Sequence, residues 1–329
     1  MRFGHFVPQG WRLDLAGVPV TEQWAVMRDL AVSADEGPFE SIWVYDHFHT
    51  VPVPTDEETY EAWTLMAAFA AVTKRVRLGQ MCTCMAYRNP AYLAKVAASI
   101  DVISGGRVEM GIGAGWYEHE WLAYGYGFPS AGERLAKLAE GVEIMKQAWT
   151  TGTSTLQGKH YQVDGAINRP LPLQSDGIPL WIAGGGEKKT LRIAAQYASY
   201  TNFDGSPDGF KHKSALLAQH CKDLGTDFDA ITRSANYNVI IGETESDVAD
   251  KLAWVRAHYQ PLIPADRLDG VAEQYASGPL VGTPEQIVAK LTEMDALGMT
   301  YAITYFLDAA YDRSSIDLFA TKVIPALAG

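Results

Sequence analysis

Cysteine is scarce in this chain: Cys82, Cys84 and Cys221 are the only three in 329 residues. An odd number without paired spacing provides no disulfide framework and fits a reducing, cytoplasmic setting. Cys82-x-Cys84 lacks companion ligands at zinc-site spacing, so no metal site is expected. Long apolar runs are missing as well. The longest, Trp63 to Val72, falls far short of the ~20 residues a membrane helix needs. MRFGHFVPQG carries no apolar run behind its arginine, so neither a targeting nor a transmembrane segment is expected. Basic residues are the minority, with 27 Lys and Arg against 39 Asp and Glu and a net charge of −12. That balance speaks against nucleic acid or an acidic membrane as partner, since both need excess cations. A small anionic ligand must therefore meet a local basic or backbone N–H site. Nucleotide fingerprints are absent too: Pro8-Gln9-Gly10-Trp11 stands where an open doubly wound sheet carries its glycine motif, and no Gly-Lys-Ser/Thr follows the glycines at 184–186.

What is present is a rhythm. Apolar segments of strand length (Phe3 to Val7, Ser41 to Tyr45, Val76 to Met81, Val108 to Ile112) alternate with helical patterns at Thr21 to Ala34, Ala62 to Val72 and from Pro90. Asn89 before Pro90 is a cap followed by a first-turn proline, and Gly105-Gly106 ends that helix. The alternation resumes with strands at Pro179 to Ala183, Ser199 to Phe203, Ser234 to Ile241 and Tyr301 to Phe306, and with helices from Lys188, Gly209, Glu245, Pro284 and Ile316. Eight strands alternating with helices select a (β/α)8 TIM barrel in one domain over residues 1–329, with a chain long enough for insertions. The rhythm breaks at about 150–176, read as an insertion lying over the C-terminal face of the strands. It breaks again at 261–282, read as a long loop. These two segments are expected to build the substrate pocket.

The C-terminal ends of barrel strands are where chemistry is expected. Asp46-His47 follows the second strand; a histidine there can move a proton near neutral pH and the aspartate can fix its tautomer, or the pair is a solvated loop. Met81-Cys82-Thr83-Cys84 ends the third strand with groups that suit the face of a flat ring or merely fill the barrel rim. Gly113-Ala114-Gly115 is expected to leave side-chain-free space beside a ligand. Ile182 to Arg192, IAGGGEKKTLR, is a strand end, three glycines and a helix start, which forms an anion site or a flexible loop. Lys188, Lys189 and Arg192 oppose the helix dipole there and favour the first. Trp116, Tyr117, Trp121, Tyr124 and Tyr126 wall a cavity or belong to the core. Glu118, His119 and Glu120 are neighbours that share no helix face, so they do not form a metal cluster.

The stretches SIWVYDHF, RVRLGQMCTCMAYRNPAYLAKVAASIDVISGGRVEMGIGAGWYEHE and IPLWIAGGGEKKTLRIAAQYA resemble the bacterial luciferase-like (β/α)8 oxidoreductases, in particular the actinobacterial branch that uses the deazaflavin coenzyme F420. The resemblance covers most of residues 1–200; the last third matches in rhythm only. It implies that Asp46 and His47 lie beside the deazaflavin ring, with His47 as the proton-transfer residue. It implies that Met81-Cys82 forms a bulge, often with a non-proline cis peptide, behind the ring. Cys82, Thr83 and Trp116 are placed as ring or substrate walls, His119 is counted with the cofactor group, and Ala183, Gly184, Gly185 and Gly186 are placed at the coenzyme phosphate. The basic residues beyond would meet the phosphate or an oligoglutamate tail. Relatives that oxidise glucose 6-phosphate carry a glutamate where this chain has Trp116, which points away from that sugar phosphate. The function implied is hydride transfer between F420 and a small organic molecule. An FMN-dependent monooxygenase and a flavin-binding protein without turnover are the alternatives, and a homodimer is expected by the same resemblance.

Overall fold

A computed structural model describes residues 1–327. Eight parallel strands close on themselves: β1 (Arg2–Phe6), β2 (Ser41–Val44), β3 (Arg77–Gln80), β4 (Val108–Gly113), β5 (Leu180–Ala183), β6 (Tyr200–Asn202), β7 (Thr232–Ile241) and β8 (Met299–Tyr305). Each pairs with the next, and Gly4 of β1 is flanked by Ser41 of β2 and Ile303 of β8, which closes the barrel. The (β/α)8 expectation holds. Long β7 does double duty. Its last residues, Val239 to Ile241, leave the barrel and pair with a short strand, Leu280–Gly282.

The barrel interior is filled by large rings, as its geometry demands. Trp43, Trp181 and Tyr301 are fully buried and meet edge to face, Trp43 to Trp181 at 4.7 Å and Trp181 to Tyr301 at 5.0 Å. Gly4 and Gly79 make this possible, because a Cβ at either position would strike the Trp43 ring. The polar edges are satisfied: Trp181 Nε1 donates to Glu109 Oε2 at 2.6 Å and Ser41 Oγ bonds the Tyr301 hydroxyl at 2.7 Å. Outside the barrel, a second apolar layer of Leu, Ile, Val, Ala and Phe packs the helices onto the strands.

The helices are α1 (Val20–Glu36), α2 (Ala62–Val72), α3 (Pro90–Ser104), α4 (Glu118–Ala123), α5 (Ala131–Thr151), α6 (Thr190–Tyr197), α7 (Pro207–Leu224), α8 (Glu245–Tyr259), α9 (Ala265–Ala276), α10 (Pro284–Ala296) and α11 (Ser314–Leu318), the last running on through a π turn to Leu327. The caps of α3 match the sequence reading. Asn89 accepts from the N–H groups of Ala91 and Tyr92, and Gly105 is left-handed at φ 75°. None of the described helices is long and apolar enough to cross a membrane.

Two expectations are corrected. The insertion at 150–176 does not lie over the C-terminal face. It forms an antiparallel hairpin, Thr153–Gln157 with Gln162–Ile167, held to α5 by Glu140, which accepts from the N–H groups of Lys159, His160 and Tyr161. The chain then runs to the opposite end of the barrel, where Gln174 bonds Asp101, the Val108 carbonyl and Arg77. The stretch 261–282 is not a long loop either. It holds α9, whose apolar residues Leu268, Val271 and Tyr275 recur at helical spacing and are buried. Pro261 and Pro264 precede that helix and do not interrupt it.

Candidate functional site

At the C-terminal ends of the strands a hollow of about 260 Å³ is lined by Trp11, Arg12, Tyr45, Asp46, His47, Met81, Cys82, Cys84, Tyr87, Gly115, Trp116, Ala183, Asn202 and Asn236. Two further hollows, of about 380 and 360 Å³, share Arg12 with it and are walled by α9 through Gln274. Of the residues placed at a site from sequence, Asp46, His47, Met81, Cys82, Trp116 and Ala183 meet around this one space.

His47 is held on three sides. Its ring stacks on Trp11 at 4.2 Å and 2°, and Trp116 meets it edge-on at 5.7 Å. Its Nδ1 bonds Glu120 Oε2 at 2.9 Å. A carboxylate only accepts, so Nδ1 carries the proton and Nε2, which has no partner among the described residues, is left as an acceptor. Glu120 itself is fully buried. Burial works against its charge, yet the bond from His47 and the N–H groups of His49 (2.9 Å) and Phe48 (2.7 Å) outweigh it and hold the carboxyl below its ordinary range. The Tyr87 hydroxyl adds a fourth bond at 3.1 Å. Sequence reasoning set Glu120 aside with its neighbours. Its signal was its place: four residues after Trp116 and four before Tyr124, it lies on the aromatic stripe of its segment, where a carboxylate needs partners.

Asp46 is on the wall but is already engaged. It accepts two parallel bonds from Arg88 (2.7 and 2.9 Å) and one from the Cys84 N–H (2.8 Å). The structure thus ties Asp46 to Arg88, whereas the tautomer of His47 is set by Glu120. The Met81–Cys82 peptide is cis, as the resemblance implied. Burial, and then the Asp46 charge, push the Cys82 thiol up to about 12, so it is a neutral wall and not a thiolate nucleophile.

Three expectations shift here. Thr83 is fully buried, donates to Gln80 Oε1 at 2.7 Å and pairs with Ile112, so it stands behind the wall. His119 is exposed and bonds His49 Nδ1 at 2.9 Å, away from the hollow. The space beside Gly113 and Gly115 is occupied. A Cβ at Gly113 would lie 2.8 Å from Cys82 Sγ, and one at Gly115 would press on Cys84 and Trp121. These glycines let the segment after β3 nestle against β4, and Gly115 also lines the hollow itself.

The glycine loop after β5 is open. Gly184 takes φ 108°, a conformation that favours glycine, and bonds the Asn202 carbonyl through its N–H at 2.9 Å. A Cβ at Gly185 would touch only the flexible Lys213 side chain. Lys188, Lys189 and Arg192 are exposed and make no ion pair among the described residues. Beside the loop, Asn202 Nδ2 donates to Ser234 Oγ (2.9 Å) and Asn236 Oδ1 (2.8 Å), because the Ser234 hydroxyl is itself spent on the Thr201 carbonyl. Asn202 Oδ1 and Asn236 Nδ2 remain as an acceptor and a donor for a ligand. Of the aromatic residues weighed from sequence, Trp116 and Tyr117 wall the hollows and Trp121 is core.

The family model for luciferase-like monooxygenases matches residues 1–301. The chain is 35% identical over 178 residues to an F420-dependent glucose-6-phosphate dehydrogenase of Amycolatopsis mediterranei (strain U-32), a match covering 52% of this chain and 50% of that enzyme. It thus spans about half the length of that relative. It is 30% identical over 227 residues to the pyrimidine monooxygenase RutA of Stutzerimonas stutzeri (strain A1501), covering 67% of this chain and 60% of RutA. A solved F420-dependent secondary alcohol dehydrogenase in complex with an F420-acetone adduct superposes with a TM-score of 0.80 over 100% of this chain and 99% of that one. At 20% identity that likeness shows the fold.

Proposed function

The chain belongs to the luciferase-like monooxygenase family, and we propose that within it this protein is a deazaflavin (F420)-dependent oxidoreductase acting on a small organic substrate. The observation that carries this reading is the bond between His47 Nδ1 and Glu120 Oε2, which leaves His47 Nε2 as a base on the cavity wall. Oxidation of an alcohol by hydride loss releases a proton, and a positioned imidazole can take it; the reverse reaction needs the same group protonated. F420, when bound, supplies hydride chemistry at a ring carbon.

The residues fit such a ligand. Met81, Cys82 and Trp116 present apolar and aromatic surface to a flat ring, and Asn202 Oδ1 and Asn236 Nδ2 offer a polar edge. Ala183 to Gly186 offer the side-chain-free loop for a phosphate, with Lys188, Lys189 and Arg192 beyond it for a polyanionic tail. Trp116, standing where glucose 6-phosphate oxidisers carry a glutamate, supports a substrate other than that sugar phosphate. A homodimer belongs to the same proposal and is checked by light scattering.

Fluorescence titration with F420 and with FMN tests the reading. Tighter binding of F420 supports it. Tighter binding of FMN replaces it with the monooxygenase reading that the RutA likeness favours. Ring binding without hydride transfer across a substrate panel leaves a flavin-binding protein.

A further inference from the structure

The turn after β1 is built to present one side chain. Gly10 is left-handed at φ 94°, and a Cβ there would collide with the Glu58 carbonyl. Three residues later Leu13 takes φ 61°, the only positive φ at a non-glycine among the described residues. Such a conformation costs ~1 kcal/mol or more and persists only where surroundings enforce it. They do: Leu13 N–H donates to the Gly10 carbonyl (2.8 Å), His258 Nε2 donates to the Leu13 carbonyl (2.9 Å) and the Tyr259 hydroxyl donates to the Arg12 carbonyl (2.9 Å). The side chain so presented is Arg12, which lines all three hollows at the strand ends.

Arg12 is a half-buried cation without a counter-ion. No carboxylate forms an ion pair with it among the described residues, and its side chain makes one hydrogen bond, from Nη1 to Asn238 Oδ1 at 2.6 Å. The nearest acid in the chain, Asp14, spends its oxygens on the Gly10 N–H (2.7 Å) and the Tyr305 hydroxyl (2.9 Å). The guanidinium lies over the rings of Tyr305 (4.6 Å), Trp11 (5.4 Å) and Tyr45 (5.5 Å). Stacking leaves its planar N–H edge for a ligand. Asp14 feels the Arg12 charge without pairing with it directly, and a cation with no direct ion pair in a cavity is unusual, because burying charge without a partner is costly.

We propose that the hollow of about 380 Å³ holds an organic monocarboxylate with a flat or alicyclic apolar body, its carboxylate on Arg12, and that this acid is the substrate. The assignment rests on reading the neighbouring hollow around His47 as the cofactor site. A carboxylate matches the guanidinium fork. A phosphate dianion would call for a second cation or an array of N–H groups; this wall holds no second cation, and beside Arg12 it offers the neutral amides of Asn238 and Gln274 and the unpartnered Trp11 Nε1. The remaining walls, Tyr259, Tyr275, Val271, Pro52 and Trp116, are apolar or aromatic and suit the body of the acid.

The test compares cyclohexanecarboxylate with its neutral isostere cyclohexanecarboxamide, neither of which absorbs where tryptophan fluoresces. Binding is followed through Trp11 and Trp116 emission and through the melting temperature. Wild type is expected to prefer the carboxylate by about tenfold or more, Arg12→Met to lose that preference, and Arg12→Lys to keep only part of it. Gln274→Glu, which leaves Arg12 in place but sets a negative charge on the same wall, should abolish the preference too and serves if Arg12→Met does not fold. Affinities for F420 and FMN should stay within about twofold in Gln274→Glu, whose position lines the acid's hollow and not the one around His47. Equal binding of acid and amide by wild type, or a preference that survives both Arg12→Met and Gln274→Glu, overturns the proposal. So does a loss of F420 or FMN affinity in Gln274→Glu, since this wall would then serve the cofactor. A protein that binds neither F420 nor FMN yet shows the Arg12-dependent preference defeats the cofactor reading and keeps the carboxylate site.

Discussion

Glu120 and His47 lie 73 positions apart in the chain and meet through a 2.9 Å hydrogen bond in which the buried carboxylate fixes the imidazole tautomer. Glu120→Gln should keep the bonds from the Phe48 and His49 N–H groups on the amide oxygen while turning an N–H toward His47. The proton then moves to Nε2, and the group facing the hollow stops being a base. Turnover is expected to fall by ~10²–10³ with cofactor affinity little changed, as for other histidines deprived of an orienting carboxylate. Nitrogen NMR of the ring checks the tautomer directly; a His47 still protonated at Nδ1 would contradict the assignment.

Removing the imidazole itself tests the role and not merely the orientation. His47→Asn keeps a polar side chain but cannot titrate near neutrality. Hydride transfer at saturating cofactor and substrate should slow by ~10²–10⁴, measured by stopped flow. A mutant that binds cofactor poorly but transfers hydride at the wild-type rate would make His47 a packing residue against Trp11.

Gly185→Asp should abolish cofactor binding in a folded protein. The added Cβ meets only the mobile Lys213 side chain, so the fold tolerates it, whereas a carboxylate in the loop repels a phosphate. Circular dichroism and a fluorescence titration check the two halves of this expectation, and unchanged affinity would take the loop out of the site.

Acid sensitivity should trace in part to His5. It is fully buried beside Phe39, its Nδ1 donates to the Phe6 carbonyl at 3.0 Å and its Nε2 has no partner. Burial lowers its pKa from 6.5 to about 4. Between those values the unfolded chain binds more protons than the folded one, so stability falls as pH drops through that window. The full effect is of order 3 kcal/mol below pH 4. Glu109, raised by burial from 4.5 to about 6, acts with the opposite sign between those two values. Urea unfolding of wild type and His5→Asn at pH 7 and pH 5 should show a smaller loss on acidification in the variant.

Much of the fold was legible because it is written locally. Strand-length apolar runs, the Asn89-Pro90 start and the Gly105 stop of α3 depend on backbone preferences within a few residues, and the barrel follows from their alternation. The positions of Asp46, His47, Met81-Cys82 and the 184–186 glycines followed as well, since strand ends in a closed parallel barrel converge on one face. What packs across that face was not written locally. Only the tertiary structure decided that Glu120 partners His47, that Arg88 claims Asp46, and that the hairpin at 153–167 leans on α5 while α9 walls the hollows. It also filled the space beside Gly113 and Gly115 with Cys82 and Cys84, and left Arg12 without a counter-ion. Each of these depends on which groups are taken out of water together. That is set by contacts between residues tens to hundreds of positions apart, which carry no periodic mark in the chain.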